Sequence, residues 1–505
     1  MRSVRLFFFL PAIIIGAGAF PRDGVRATEL SFPVLSFPVV DTGQSRCYGI
    51  RGGGQWSCPS PGESVFGQDA QYATHPPRYR DNGDGTVSDL VTGLMWEKGF
   101  TRDVPWREAP ARATQATTGG HSDWRVPTIK QLYSLMNFDG ATGLVADMSR
   151  TPADAKPYLD MDVFDFEYPT EAQTVSRGRP LRFIDAQYIS STAYRGLTMR
   201  GNATFFGVNF ADGRIKGYGQ EPHMRAGFYL RLVRGNPAYG INEFHDAGNG
   251  VVTDRATGLA WMKVDSGHES LRNRLGRTHY RDGRMDWPEA LAFCEGLDHL
   301  GHDDWRLPDA KELQSLVDYT RSPQGTRSAA IDPMFHATAI TDEHGQPNFP
   351  GYWASTTHLD GRHPGTDAVV VYFGEALGAF SPRPGGPMGG GPPGSQMSGG
   401  PPGNQMGGGP PGNQMGGGPP GGQMGGRPPP PGGLGGPGMG GPSGGFGGGP
   451  RSVGSKESIT DVHGAGAQRS DPKVGDPSSY PVWGHGPQGD VRRVYNHVRC
   501  VRTAG

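Results

Sequence analysis

Two eight-residue stretches of this chain, 181 positions apart (305 minus 124), are nearly identical. Residues 120–127 read GHSDWRVP and residues 301–308 read GHDDWRLP. The agreement continues on both sides, from DLVTGLMW at 89–96 against DRATGLAW at 254–261 to RLVR at 231–234 against RCVR at 499–502. Such a duplication means that one structural unit is built twice, so the fold of one copy predicts that of the other.

The distance between matching positions shows where the copies differ in length. It is 164 at Ser191 and Ser355 and 268 at Arg231 and Arg499, so copy two has about 104 additional residues (268 minus 164) before its last strand. Between 381 and 450, 50 of 70 residues are Gly or Pro, and a Met recurs every nine residues from 388 to 424. This composition cannot bury enough apolar surface to offset the entropy of ordering. We therefore predict a disordered, low-complexity insertion over 381–478 that a short linker can replace; its methionines are also suited to soft ions such as Cu(I).

The first residues predict export. Arg2 and Arg5 precede an apolar run at 6–15, and small residues follow at 17–19, which is typical of a secretory signal peptide over 1–19. The run is short for a membrane span and Pro11 interrupts it, so an uncleaved anchor is the weaker alternative. We expect a secreted, periplasmic or cell-surface protein without a membrane span after signal removal. A lead-in segment over 20–76 precedes copy one.

The four cysteines agree with an oxidising compartment. Cys294 and Cys500 occur only in copy two, because copy one has an alanine and a leucine at the matching positions. Joint presence and joint absence are what a bonded pair produces, so we predict a Cys294–Cys500 disulfide and, from the remaining two, Cys47–Cys58. Neither the cysteine nor the histidine spacing fits a zinc site, and no metal or other cofactor is predicted.

The charge balance argues against one class of partner. Lys and Arg total 48 against 49 Asp and Glu, so the whole chain has no field that attracts nucleic acid or a membrane surface. The segment 491–505 differs, because it contains four arginines and no acid: Arg492, Arg493, Arg499 and Arg502. These are candidates for binding an anionic ligand, and the alternative is that they flank a core strand in contact with water.

The residue pattern predicts an α+β fold in each copy. DNGDGTV at 81–87 and a Thr-Gly pair at 92–93 mark turns in a meander of short antiparallel strands. Helical apolar spacing follows at Trp106 in copy one and at Trp287 in copy two, and a second helix opens after the Pro of each repeated motif. Further strands are predicted late in each copy, at 204–210, 228–233, 368–373 and 494–501.

These residues resemble a known family. The runs DNGDGTV, TGLMW, DWRVPTIKQL and RCVR are similar to those of the C-terminal domain of the Legionella collagen-like adhesin, a bacterial domain family otherwise of unknown function. The resemblance covers 77–236 and 241–505, and the segment from Asp41 to Tyr72 is similar to the usual lead-in of such domains. The chain is more distantly similar to formylglycine-generating enzymes and C-type lectin-like folds. That likeness implies two tandem lectin-like domains with two helices each, but it does not carry function.

The repeated Asp-Trp-Arg motif is expected to serve the fold. Its members are Asp123, Trp124 and Arg125 in copy one and Asp304, Trp305 and Arg306 in copy two. The Trp can fill a core, and the Arg can form a buried, two-pronged ion pair with the neighbouring Asp or another acid. The alternative is an arginine that belongs to an active site.

Two further patterns point to chemistry. His121 and His302 precede the motif, but no nucleophile in a recognisable context accompanies them, so a role in a turn is favoured over that of a catalytic base. Asp81, Asp84 and Asp89 suggest calcium, but their spacing departs from the usual loop and copy two has an asparagine at the second position. A hairpin turn is the simpler interpretation.

Together these patterns predict an exported binding protein rather than an enzyme. The expected function is surface adhesion or recognition of an anionic polysaccharide through Arg492, Arg493 and neighbouring arginines, as the family resemblance and the acid-free run suggest. Weak binding would be strengthened by the tandem copies or by oligomers. The alternatives are an extracytoplasmic enzyme of the formylglycine-generating type, disfavoured because copy one has no cysteine, and a structural component of the envelope.

Overall fold

The computed structural model describes residues 35–55, 57–145, 149–169, 182–221, 228–272, 282–360, 363–379, 459–479 and 489–504. The predicted signal peptide and the Met-containing repeats of the predicted insertion lie outside these ranges. Both copies belong to a single unit that begins at Ser36.

Strands dominate the described residues, and the helices are short. The α-helices are α1 (Ala109–Gln115), α2 (Ile129–Tyr133), α3 (Glu269–Arg272), α4 (Trp287–Glu295), α5 (Ala310–Ser315) and α6 (Pro323–Thr326). The strands of the lead-in and copy one are β1 (Cys47–Tyr48), β2 (Gly54–Gln55), β3 (Tyr79–Asp81), β4 (Thr86–Asp89), β5 (Leu94–Glu97), β6 (Thr101–Val104), β7 (Gln187–Thr198), β8 (Asn202–Asn209), β9 (Arg214–Gly219), β10 (Phe228–Leu230) and β11 (Val233–Gly235). Those of copy two are β12 (Phe244–Asp246), β13 (Val251–Asp254), β14 (Leu259–Met262), β15 (Ile340–Thr341), β16 (Pro347–Asn348), β17 (Gly351–His358), β18 (Asp367–Tyr372), β19 (Leu377–Ala379), β20 (Ile459–Asp461), β21 (Gln468–Pro472) and β22 (Val501–Thr503).

The arrangement is a mostly antiparallel α+β fold, as predicted. Two helices per copy is correct for the described part of copy one and wrong for copy two, where four are described. The additional turn α6 forms because Pro323 occupies its first position and the Ser322 hydroxyl accepts a hydrogen bond from the Gly325 N–H. Copy two also has the single turn α3.

The motif of each copy leads into a helix with the same cap. In copy two, the Asp309 carboxylate accepts from the Glu312 N–H and the Glu312 carboxylate accepts from the Asp309 N–H. Thr128 and Gln131 form the corresponding box in copy one. These reciprocal bonds satisfy backbone donors that the first turn of a helix leaves unpaired, and so they fix where α2 and α5 begin.

The two copies meet in one eight-stranded sheet. Its order is β17-β18-β21-β9-β8-β7-β10-β6, so three strands of copy two are followed by their counterparts of copy one in reverse order. At the centre Ile215 lies opposite Gln468. These two residues are themselves equivalent. Ile215 pairs with Val208 of β8, and Gln468 pairs with Val371 of β18, which is the matching position of copy two. The copies are therefore related by a pseudo-two-fold axis through this pair, as the subunits of an isologous dimer are.

The main hydrophobic core is also shared. It contains Leu132 and Tyr133 of α2 together with Leu313 of α5 and Val369 and Val371 of β18. Smaller clusters lie on the outer side of each copy, one around Trp287 and one around Trp124. The ranges predicted as separate domains are thus joined through one sheet and one core.

The additional residues of copy two enter between β18 and β21. Copy one joins β8 to β9 through the short turn around Gly213, whereas copy two passes through the hairpin β19–β20, in which Ala379 pairs with Ile459. The predicted insertion boundary at 478 is wrong, because β20 and β21 lie inside it and β21 is a central strand of the large sheet.

Both predicted disulfides are present, Cys47–Cys58 in the lead-in and Cys294–Cys500 in copy two. The second ties α4 to the residue before β22 across 206 positions. In the part of the chain that the structure describes, no helix is both long enough and apolar enough to cross a membrane.

Candidate functional site

The Asp-Trp-Arg motif forms the same framework twice. In copy two, Trp305 Nε1 donates to the His299 carbonyl at 3.1 Å, and Asp304 pairs with Arg502 at 2.6 Å. The matching contacts of copy one are Trp124 Nε1 to the Thr118 carbonyl at 3.1 Å and Asp123 with Arg234 at 2.6 Å. Because these contacts recur in both copies, the Trp and Asp of the motif hold the fold. Arg502, predicted to bind a ligand, uses its Nε for this pair.

The arginine of the motif differs between the copies. Both Nη atoms of Arg306 lie 2.6 Å from the Glu312 carboxylate, so the predicted two-pronged pair is present, with Glu312 rather than the adjacent Asp. Burial lowers the pKa of Arg306, but the Glu312 charge more than offsets this and the pKa is raised overall. Gln131 replaces that glutamate in copy one, and among the described residues the Arg125 side chain donates only to the Asn236 carbonyl, at 3.4 Å. The predicted pair is therefore wrong for Arg125.

The arginine that begins the closing motif of each copy is an internal brace. Arg499 is 1% exposed and donates to the carbonyls of Met262, Lys263 and His336, with its guanidinium over the Phe335 ring. Arg231 repeats this pattern in copy one with the carbonyls of Glu97, Lys98 and Asp165 and the ring of Phe164. The prediction of Arg499 as a ligand-binding residue is wrong, because its guanidinium is buried and donates to backbone carbonyls inside the protein.

Arg492 and Arg493 lie closer to the surface, with side chains 21% and 12% exposed. Arg493 donates from Nε and Nη2 to the Glu343 carboxylate, both at 2.6 Å, and its guanidinium lies 5.4 Å from the centre of the Tyr372 ring. Arg492 pairs with Asp367. Burial raises the pKa of Glu343, but the positive charge of Arg493 more than offsets this. The pKa is therefore lowered overall, and the pair is ionised. The structure thus brings these two arginines together with acids that distant parts of the sequence supply.

Two lysines, one buried in copy two and one half-buried in copy one, connect the copies across the pseudo-two-fold axis. Lys130 of α2 donates to the Ser315 carbonyl and Lys311 of α5 to the Ser134 carbonyl, at 2.7 and 2.9 Å. Burial lowers the pKa of each to about 8. The reciprocal bonds fasten α2 to α5, and they could have been suspected from a lysine repeated within otherwise apolar helical spacing.

The lead-in segment covers one flank of copy two. Asp69 is buried there and accepts hydrogen bonds from the hydroxyls of Thr42, at 2.9 Å, and Thr356. Three residues later, the Tyr72 ring lies 5.4 Å from the Arg306 guanidinium, and its hydroxyl is 2.8 Å from Glu295. Burial raises the pKa of Asp69, and the charges of Asp41 and Glu312 add to this effect. This flank therefore accommodates a carboxylate and an aromatic ring.

The remaining candidates have structural contacts. His121 and His302 lie edge-on to the Trp of their own motif. Asp81 pairs with Lys98 at 2.6 Å, Asp84 accepts from the Thr86 N–H, and Asp89 accepts from the Val91 and Thr92 N–H groups, as expected of turns. Among the described residues, no three His, Cys, Asp or Glu side chains are grouped so that they could hold a metal ion.

A family model, the Lcl C-terminal domain, matches residues 85–234 and 250–384. The two matches cover more than half of the chain, and the chain belongs to this family, in which it holds two tandem domains. No curated protein matches the sequence. No solved structure matches the fold.

Proposed function

We propose that this protein is a non-catalytic binding protein of the cell exterior, adhesin-like in role, whose ligand is an anionic polysaccharide held in copy two near Arg492 and Arg493. The lectin-like character of the two domains is part of this proposal. Family membership and the two disulfides fit a protein that works outside the cytoplasm.

The proposal rests on Arg493, because only some of its hydrogen-bond donors are bonded within the part of the protein that the structure describes. Its Nε and Nη2 hold Glu343, which leaves Nη1 without a hydrogen-bond acceptor in the described part of the chain. A guanidinium can donate five hydrogen bonds in a fixed fork and is charged at all physiological pH values. A sulfate or carboxylate of a polysaccharide would complete that fork, and Arg492 would supply a second positive charge beside it.

Retention on immobilised heparin across a salt series tests this site. We expect wild-type protein to be retained at low salt and to elute as salt rises, because exposed charges are screened within about 8 Å at physiological ionic strength. Arg492→Gln combined with Arg493→Lys should elute at clearly lower salt, and Lys keeps a charge beside Glu343 so that folding is preserved. The matched control is Arg80→Gln, which removes one exposed arginine from copy one.

Melting temperatures of the three proteins establish that each is folded. The proposal is wrong if wild-type protein passes through the column at low salt. It is equally wrong if the double variant elutes with the wild type.

A further inference from the structure

The pseudo-two-fold axis gives copy one the same flank that the lead-in segment covers in copy two. Thr192 stands where copy two has Thr356. Its hydroxyl accepts a hydrogen bond from the first N–H of α2, at 3.0 Å, as the Thr356 hydroxyl does from the first N–H of α5, at 2.9 Å. The other equivalent positions are Arg125 with Arg306, Thr128 with Asp309, Gln131 with Glu312 and Ser191 with Ser355.

This flank is open in copy one. Thr128 and Ser191 are exposed, whereas their counterparts Asp309 and Ser355 are 3% and 1% exposed. Thr356 donates its hydroxyl proton to Asp69, but the hydroxyl of Thr192 has no acceptor among the described residues. The lead-in segment packs on copy two. In the described part of the chain, no segment therefore packs on Thr192 and Arg125 as Asp69 and Tyr72 pack on Thr356 and Arg306.

The charges of the two flanks also differ. Copy two holds the Asp69 carboxylate although Asp309 and Glu312 of the same flank repel it. Copy one has the neutral Thr128 and Gln131 at those positions. It keeps the positive charges, with Arg125 and Lys130 in place of Arg306 and Lys311. A carboxylate therefore meets two fewer negative charges on the flank of copy one.

We propose that this flank, the copy-one groove formed by Arg125, Thr128, Ser191 and Thr192, docks an acidic peptide of a partner protein. The peptide places a carboxylate on Thr192 and, three residues later, an aromatic ring over Arg125. This is the spacing with which Asp69 and Tyr72, at the ends of one turn of chain, occupy copy two. A polysaccharide supplies the carboxylate but not the ring, so the observations favour a peptide.

The probe is a fluorescently labelled peptide of the sequence VFGQDAQYAT, which copies residues 65–74 of this chain. We expect its anisotropy to rise saturably with one site per full-length protein. Peptides with Asn in place of Asp, or Ala in place of Tyr, should bind at least about tenfold more weakly, since each removes one of the two contacts.

Protein variants locate the site. Arg125→Gln removes the cation that faces the ring, and Thr128→Asp restores the acid of copy two while still capping its helix as Asp309 does. Each should weaken the peptide at least about tenfold, whereas Arg80→Gln should leave it unchanged. The proposal is overturned if wild-type protein does not bind the peptide or if both groove variants bind it as tightly as the wild type. Binding of heparin, but not of peptide, that depends on Arg125 would make the groove a polysaccharide site and would also overturn it. The heparin site proposed above lies in copy two, so the two proposals can fail independently.

Discussion

The carboxyl group of Asp461 is buried in the interior of this protein. Asp461, at the end of β20, accepts from the Tyr194 hydroxyl at 2.8 Å and from the Gly464 N–H at 2.7 Å. Burial, and after it the charge of Glu375, raises the pKa of Asp461 to about 7. Tyr194 belongs to copy one, so this carboxyl group lies where the base of the inserted hairpin meets the other copy.

Asp461→Asn should change how stability depends on pH. The folded protein keeps the Asp461 proton up to about pH 7, whereas the unfolded chain releases it near pH 4, so this group's contribution to the free energy of unfolding falls as pH rises between those values. Asn does not titrate; its Oδ1 can still accept from the Gly464 N–H, and its Nδ2 can donate to the Tyr194 hydroxyl oxygen. Relative to wild type, the free energy of unfolding of the variant should therefore gain about 4 kcal/mol from pH 4 to pH 8.

Urea unfolding at pH 4.5, 6 and 8 measures this difference. The exposed Asp303→Asn is the matched control and should follow the wild-type profile. A constant difference between Asp461→Asn and wild type at all three pH values would contradict the assignment.

At the scale of elements, the hairpin β19–β20 separates the dispensable part of copy two from the indispensable part. Ala379 and Ile459 are paired neighbours, so the chain between them leaves and returns at one place. β21 follows, and its five residues are all buried between β18 and β9. The two sides of residue 459 should therefore respond differently to deletion.

Two deletions test this division. Replacing residues 381–457 with a short Gly-Asn turn should leave a cooperative melting transition, because loop-closure entropy changes slowly with loop length. Replacing 381–478 removes β20 and β21 and should abolish that transition, since the large sheet is cut at its centre. Differential scanning calorimetry distinguishes them. Loss of cooperativity in both would mean that the glycine- and proline-rich residues pack on the domain.

The contrast between predicted and observed elements has a physical cause. Strands β8 and β18 could be predicted because they are apolar and recur in both copies, and the cysteine pairing followed from the same comparison. Strand β21, QRSDP, could not, because its polar residues are buried through partners distant in sequence, such as Arg469 bonded to the carbonyls of Leu377 and Val491. The same limit applies to the flank of copy two, since no local pattern indicates that Asp69 reaches Thr356.

At the scale of the whole molecule, the two copies related by the pseudo-two-fold axis are arranged like the subunits of a dimer, but a linker joins them into one chain. The copies share the central strand pair, the bonds of Lys130 and Lys311, and a close approach at Gly217, where a Cβ atom would lie 2.5 Å from the His463 carbonyl. An interface of this kind resembles a domain core cut in two and does not persist when either half is alone.

Residues 36–240 and 241–505, produced as separate chains, should therefore form a one-to-one complex when refolded together. Each half alone should aggregate, because it exposes a central strand edge and half of the main core. Size-exclusion chromatography with light scattering measures the outcome. Two halves that are each folded, monomeric and indifferent to one another would refute the shared core.

The pairing of Ile215 with Gln468 also sets an order of events during synthesis. The two residues are 253 positions apart (468 minus 215), so the sheet cannot close until nearly the whole chain has left the ribosome. At about 5–20 residues per second, the strands of copy one wait on the order of 13–50 seconds with an unpaired edge. During that interval the unpaired strand edge is available for pairing with neighbouring chains.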